Sequence, residues 1–218
     1  DGGANSDGGG SSKDCADDGP PNGCPDNSFI ENIVWGNVDD GFDNSLERGL
    51  LQGNVAFRNG PAGGRGFKEL RYTPDNTYIG NVAFENSEVG LEVRSGGGGT
   101  SRVLHTTAVR NGQWDLSLKA EGGAGIAANN AASGSRNGNT YGSWSNTANT
   151  GAPGGEALSV DVALPAGTVA QRWRFLYDQF RTALTPGPGS PLIDAGLMTL
   201  ANGQLRATAT GRPVLNRL

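Results

Sequence analysis

Apolar residues in this chain fall in short runs, β-branched or aromatic, and the runs close on asparagine or glycine. Four segments align: Asn32-Ile33-Val34-Trp35-Gly36-Asn37, Asn54-Val55-Ala56-Phe57-Arg58-Asn59, Asn81-Val82-Ala83-Phe84-Glu85-Asn86 and Thr106-Thr107-Ala108-Val109-Arg110-Asn111. A weaker fifth is Asn130-Ala131-Ala132-Ser133-Gly134-Ser135. Their last residues lie 22, 27, 25 and 24 positions apart. A helical repeat of that period needs longer apolar runs at 3.6-residue spacing, and none occur. Short runs bounded by Asn and Gly read instead as strands and turns.

A second motif follows each of the first four: Gly41-Phe42-Asp43, Gly66-Phe67-Lys68, Gly90-Leu91-Glu92 and Trp114-Asp115-Leu116-Ser117. A third short strand, such as Thr77-Tyr78-Ile79 or Arg102-Val103-Leu104, precedes the next asparagine motif. Three strands per repeat predict an all-β chain, a right-handed parallel β-helix. The repeated asparagines are expected to stack at the turns as a structural ladder.

Three regions follow. Residues 1–28 are rich in Gly, Asp, Ser and Pro and form a loop and a partial first coil. Residues 29–135 form the coils. Residues 136–218 form a C-terminal segment: a polar loop over 136–155, then a short helix over Val169–Leu184 with Trp173, Leu176, Tyr177 and Phe180 on one face, then a turn-rich tail from Pro186 that packs back on the coils. A stack of parallel coils has two open ends. The N-terminal one carries no cap-like helix, so earlier coils are expected before it, and an open end offers a surface for self-association.

Composition narrows the function. The net charge is -5 and only 18% of residues are charged, which argues against nucleic acid as a partner. No run approaches the ~18 apolar residues of a membrane span. The two cysteines, Cys15 and Cys24, are either free thiols or a local disulfide, and a disulfide suits a secreted, extracellular protein. With one distant His105 they do not make a zinc site.

Candidate chemistry sits in two acidic clusters: Asp39, Asp40 and Asp43, and, about one coil earlier, Asp17 and Asp18. Coils stack at ~4.8 Å, which brings the two clusters side by side. They are either a solvated acidic turn or a Ca²⁺ site, since that ion takes 6–8 oxygen ligands. Aligning the second motif puts Asp43, Lys68, Glu92 and Ser117 in one column. Lys68 there is either an inter-coil ion pair or, beside a cation, a base. A glycoside hydrolase fits less well, because its two carboxylates face each other across a cleft and these crowd one turn.

The succession Ala16-Asp17-Asp18-Gly19, Asp39-Asp40-Gly41-Phe42-Asp43, Asn54 to Asn59 and Gly66-Phe67-Lys68 resembles the family 9 polysaccharide lyases, β-helical pectate lyases. Asn81 to Asn86 with Gly90-Leu91-Glu92, and Gly189-Ser190-Pro191-Leu192-Ile193-Asp194-Ala195-Gly196, resemble it too. The resemblance implies the C-terminal portion of a Ca²⁺-dependent lyase that cleaves polygalacturonate, an acidic polysaccharide, by β-elimination. It implies calcium on Asp17 or Asp18, Asp39, Asp40 and Asp43, and Lys68 as base. The chain departs from the family at Cys15, where the family's Asn-Ala-Asp-Gly turn has asparagine. It departs again at Glu69, which is expected to repel a polyanion, and in the short Gly60 to Arg65 loop. The alternative is a non-catalytic secreted β-helix, a surface adhesin or a structural or assembly subunit.

Overall fold

A computed structural model describes residues 7–10, 24–61, 63–70, 73–133, 139–147, 150–152, 166–183, 198–201 and 204–207. The chain divides into two units, Asp1–Ala152 and Pro153–Leu218.

The first unit is a parallel β-helix. One series of strands runs Gly9–Gly10, Phe42–Asn44, Phe67–Glu69, Val89–Gly96 and Trp114–Ala128, each parallel to the next. A second runs Ser28–Ile30, Leu50–Gln52, Thr77–Ile79 and Thr100–Leu104. The long Trp114–Ala128 strand pairs with both series and joins them into one sheet. A six-stranded sheet holds the asparagine motifs, from Ile33–Trp35 through Val55–Phe57, Val82–Phe84, Thr107–Val109 and Ala131–Ser133 to Thr150–Ala152. Its register matches the sequence alignment: Val34, Ala56, Ala83, Ala108 and Ala132 share one column.

Residues alternate between faces along a strand, so the small residue at the centre of each motif turns inward. Ala56, Ala83, Ala108 and Ala132 join Phe42, Leu51, Phe67, Tyr78, Leu91 and Leu116 in one continuous core. Aromatic rings repeat at the coil rise: Phe42 and Phe67 stack at 4.9 Å, Phe57 and Phe84 at 4.8 Å, each pair with nearly parallel rings.

The asparagines do form ladders. Asn37, Asn59 and Asn86 each donate Nδ2–H to the Oδ1 of the next asparagine, at 2.8, 2.9 and 2.9 Å, and donate their backbone N–H to the same oxygen. Asn111 hands the ladder on to Asp115 in the same way, at 2.9 and 3.1 Å. A second ladder runs Asn32, Asn54, Asn81. Glycine in the second motif follows from the first ladder. A Cβ on Gly66 would meet Asn86 Nδ2 at 2.7 Å and Gly90 O at 2.6 Å, closer than any side chain allows.

The coils extend further than residue 135. Asn139–Thr147 pairs with the Trp114–Ala128 strand, and Thr150–Ala152 continues the six-stranded sheet. The expected polar loop over 136–155 is therefore largely strand. Its polarity hid the repeat, although Thr140, Tyr141 and Trp144 are strand-forming residue types.

In the second unit a helix spans Val169–Ala183, close to the expected 169–184. Thr168 and Gln171 start it as a capping box: Gln171 N–H donates to Thr168 Oγ1 at 3.3 Å, and Thr168 N–H to Gln171 Oε1 at 2.8 Å. On the predicted face Trp173 stacks on Tyr177 and Leu176 is buried; the side chain of Phe180 lies outside the described residues. Met198–Ala201 and Gln204–Ala207 form an antiparallel hairpin.

Candidate active site

The polar face of the first sheet series collects the chain's candidate chemistry. Asp43, Lys68, Glu92 and Ser117 occupy one column, as their motifs require. Lys68 reaches back one coil: Nζ lies 2.8 Å from Asp43 Oδ2 and 2.9 Å from Asp40 Oδ2. Burial pulls its ammonium toward neutrality, but the two carboxylates outweigh this and hold its pKa above the ordinary lysine value. Lys68 makes no ion pair with its other neighbour, Glu92, among the described residues.

Asp40 is fully buried and central. Its Oδ1 accepts the Arg65 N–H at 2.7 Å, and its own N–H donates to Asp7 Oδ1 at 3.1 Å. Asp7, Asp40 and Asp43 each bring a carboxylate oxygen within 4.8 Å of the others. Asp39 sits beside this group, half-buried and outside the tight set. Burial and then repulsion from Asp40 raise the Asp39 pKa. Asp7 is raised as well, by burial and then by Asp43, Asp40 and Asp39, against the hydrogen bond from Asp40.

Of the residues expected to hold a cation, the structure thus brings Asp40 and Asp43 together, with Asp39 adjacent. Asp17 and Asp18 lie outside the described residues. The position one coil before Asp40 belongs to Asp7, which stands 33 residues earlier, where a constant coil of 22 had pointed to Asp17 and Asp18. The strands around this stretch still keep the 22-residue step, Cys24 to Leu46 and Ser28 to Leu50, so the extra residues lie between Gly10 and Cys24. The missed signal is in the sequence: Asn5-Ser6-Asp7-Gly8 has the Asn-small-Asp-Gly form that Cys15-Ala16-Asp17 lacks.

Glu69 does not share the face of Lys68. Strand alternation turns it inward, opposite Lys68, where it is fully buried and accepts the Tyr78 hydroxyl at 2.8 Å. Burial pushes its pKa up to about 8, so it is a neutral acid at pH 7, not a charge that repels a polyanion. Asn44, which donates to Lys68 O at 2.8 Å, also contacts at 3.3 Å the Tyr78 hydroxyl that Glu69 accepts.

Glu92 is the other hub. Arg94 Nε lies 2.6 Å from its Oε1, while Lys119 Nζ at 3.0 Å and Arg65 Nε at 3.6 Å approach its Oε2. Burial raises the Glu92 pKa, but these cations overcome it and hold the carboxyl below its usual range. Arg65 extends to Glu88 at 3.1 Å and to Asp40 at 3.8 Å. The connected group has six carboxylates (Asp7, Asp39, Asp40, Asp43, Glu88, Glu92) and four cations (Arg65, Lys68, Arg94, Lys119), a formal excess of two negative charges.

A divalent, oxygen-seeking ion fits this set. The donors are hard carboxylate oxygens, the charge excess matches, and Asp43 Oδ1 is buried without a hydrogen-bond partner. Cys24 is in a disulfide; the chain's other cysteine, Cys15, lies outside the described residues.

Fold and site together define a parallel β-helix protein with an acid-and-lysine cluster on one sheet. Within that class the chain is similar over part of its length to a pectate lyase. It is 32% identical over 105 residues to pectate lyase L of Dickeya dadantii (strain 3937), a match that covers 40% of this chain and 24% of that protein. The chain thus spans about a quarter of the length of the curated relative it matches. The solved structure of pectate lyase Pel9A aligns with 85% of this chain and 63% of its own, with a TM-score of 0.42 and 16% identity. No protein-family model matches the chain.

Proposed function

We propose that this chain carries the catalytic face of a calcium-dependent lyase that cleaves polygalacturonate by β-elimination. One observation carries the proposal: Lys68 Nζ lies within 2.9 Å of two members of a three-carboxylate group on the adjoining coil and turn. A base and a cation site are then neighbours on one face. The pectate lyase relative supports the substrate class.

Asp7, Asp40 and Asp43 would hold the ion, with Asp39 beside them. When bound, calcium supplies positive charge that acidifies the proton at C5 of a uronate and neutralises the carboxylates that otherwise keep Lys68 protonated. Neutral Lys68 Nζ takes the C5 proton. The electron pair left at C5 forms the C4–C5 double bond as the C4–O bond breaks, and the leaving oxygen takes a proton from water. Asn44 fixes the strand of the base through Lys68 O, and Arg65 N–H fixes the Asp40 carboxylate. The disulfide at Cys24 supports a secreted protein.

The test is direct. Incubation with polygalacturonate and Ca²⁺ is expected to yield unsaturated product, followed by ultraviolet absorbance, and a chelator is expected to stop it. Asp40→Asn should lose both the activity and the gain in unfolding free energy on calcium addition, which for the wild-type protein is about 2.7 kcal/mol at a hundredfold excess over Kd. The competing reading, a non-catalytic β-helix protein, is favoured by the Lys68 ion pairs themselves. Absence of product with calcium bound would decide for it.

A further inference from the structure

Beyond the cation and base, the same face gathers three cations, Arg65, Arg94 and Lys119, on the single carboxylate of Glu92. Arg94 and Lys119 are register partners on adjacent coils. Each lies two residues past the Lys68 column, at Glu92 and Ser117, so alternation puts both on the face of Lys68. The neighbours between them, Val93 and Leu118, turn into the core.

Glu92 alone faces three cations, and both of its oxygens are engaged. Arg94 donates to it through Nε only, leaving its two terminal amino groups without a hydrogen bond among the described residues. Those groups form a planar fork suited to a second carboxylate. The Arg94 and Lys119 side chains keep 21% and 15% of their surface in solvent, whereas Glu92 beneath them keeps 3%. Two further buried groups here have no hydrogen-bond partner, Arg65 Nε and, in the Lys68 column, Ser117 Oγ.

We propose that Arg94 and Lys119 form a subsite for the carboxylate of a uronate unit on the far side of Lys68 from the cation group. The inference rests on the lyase reading for its substrate, a linear polyuronate laid across the strands. Asp40 and Asp43 lie on the N-terminal side of Lys68, and Arg94 and Lys119 lie one and two coils beyond it. Coils rise by about 4.8 Å, so a chain engaged at the cation group has to reach past the base to meet the two cations. Arg94 lies two rises, about 10 Å, and Lys119 three, about 14 Å, from the Asp43 coil, so a hexamer meets both cations and a trimer meets Arg94 at most.

The experiment uses the full chain with Ca²⁺, hexagalacturonate and trigalacturonate, and the variants Arg94→Gln, Lys119→Gln, the double variant and Arg94→Lys. Hexamer binding is measured by calorimetry and cleavage by product absorbance. The double variant is expected to raise KM for the hexamer about tenfold with kcat within about twofold, the pattern of lost uniform binding. Trimer KM should rise less than hexamer KM, and Arg94→Lys, which keeps the charge but loses the fork, should recover only part of the hexamer affinity that Arg94→Gln loses. Unchanged hexamer KM and affinity in the double variant, with the wild-type protein active, overturns the subsite and leaves the lyase reading standing. Hexamer binding that is lost in the double variant, with no product from the wild-type protein, supports the subsite and overturns the lyase reading. A wild-type protein that neither binds nor cleaves the hexamer overturns both.

Discussion

Two columns of side chains run along the same coils and behave in opposite ways. In the ladder Asn37, Asn59, Asn86, Asn111 the residue type never changes, and each amide passes its hydrogen bond to the next coil until Asp115 ends the series. In the column Asp43, Lys68, Glu92, Ser117 the residue type changes at every step, and two of its four members keep a buried oxygen without a partner among the described residues. Stacking favours repetition, because one conformation and one hydrogen-bond pattern then serve every coil. A column that gives up repetition loses that mutual satisfaction, and natural proteins accept such a loss mainly where a site needs it. The difference separates scaffold from chemistry within a single coil.

The sharpest way to break this contrast is to remove the base. Lys68→Ala is expected to lower the rate on polygalacturonate by about 10²–10⁴-fold, the range for loss of a positioned general base. Unfolding measured in calcium should change far less. A variant that keeps its activity would make the mixed column a second structural ladder, equivalent to the asparagines.

The inward side of the same strand gives the next largest effect, and it depends on pH. Burial holds the Glu69 pKa at about 8, well above the ordinary glutamate value of 4.5. An acid whose pKa rises on folding stabilises the fold fully below the unfolded value, and that contribution falls away as pH climbs to the folded value. Stability should therefore drop by a few kcal/mol between about pH 4.5 and pH 8 and level off above. Glu69→Gln should flatten this slope in denaturant titrations at pH 5, 7 and 9. An unchanged slope would mean that some other group carries it.

Within the repetitive column, Asn86 is the member to remove. It accepts from Asn59, donates to Asn111, and donates a further hydrogen bond to Ala56 O at 3.0 Å, all in the interior. Asn86→Ala leaves several buried groups without partners and should cost about 2–4 kcal/mol in chemical denaturation. Turnover measured well below the unfolding transition should be unaffected. Loss of turnover with full stability would erase the distinction between the two columns.

What the sequence disclosed follows the same division. The repeated asparagine motif set the register, and that register placed Asp43, Lys68 and Glu92 together because a ladder tolerates no slippage over those coils. It failed where coils vary in length. The step from Asp7 to Asp40 is 33 residues, and no periodicity signals an insertion, so only the local Asn5-Ser6-Asp7-Gly8 form marked the true neighbour. It also failed at Asn139–Thr147, where a strand of polar residues carries no apolar alternation. Glu69 was misjudged for another reason. Adjacency in sequence suggested adjacency to substrate, yet neighbours on a strand face opposite ways. The shared use of Glu92 by three cations needed side-chain reach across coils, which spacing does not encode.

The smallest expected effect lies at the turn after each asparagine-motif strand. Arg58, Glu85 and Arg110 sit there with φ of 52°, 54° and 55°, in the slot that Gly36 fills at 67°. Left-handed backbone costs a side-chain-bearing residue about 1 kcal/mol or more, and glycine escapes that cost. Arg58 offsets it with an ion pair to Glu85 at 2.8 Å, but both side chains are partly in solvent, where such a pair contributes about 0–1 kcal/mol. Arg58→Gly should therefore shift stability by less than about 1 kcal/mol at low salt. At high salt, where the pair is screened and the backbone term is not, the variant should gain relative to the wild-type protein. A large loss at both salt concentrations would show that this exposed column, too, holds its coils together as the asparagines do.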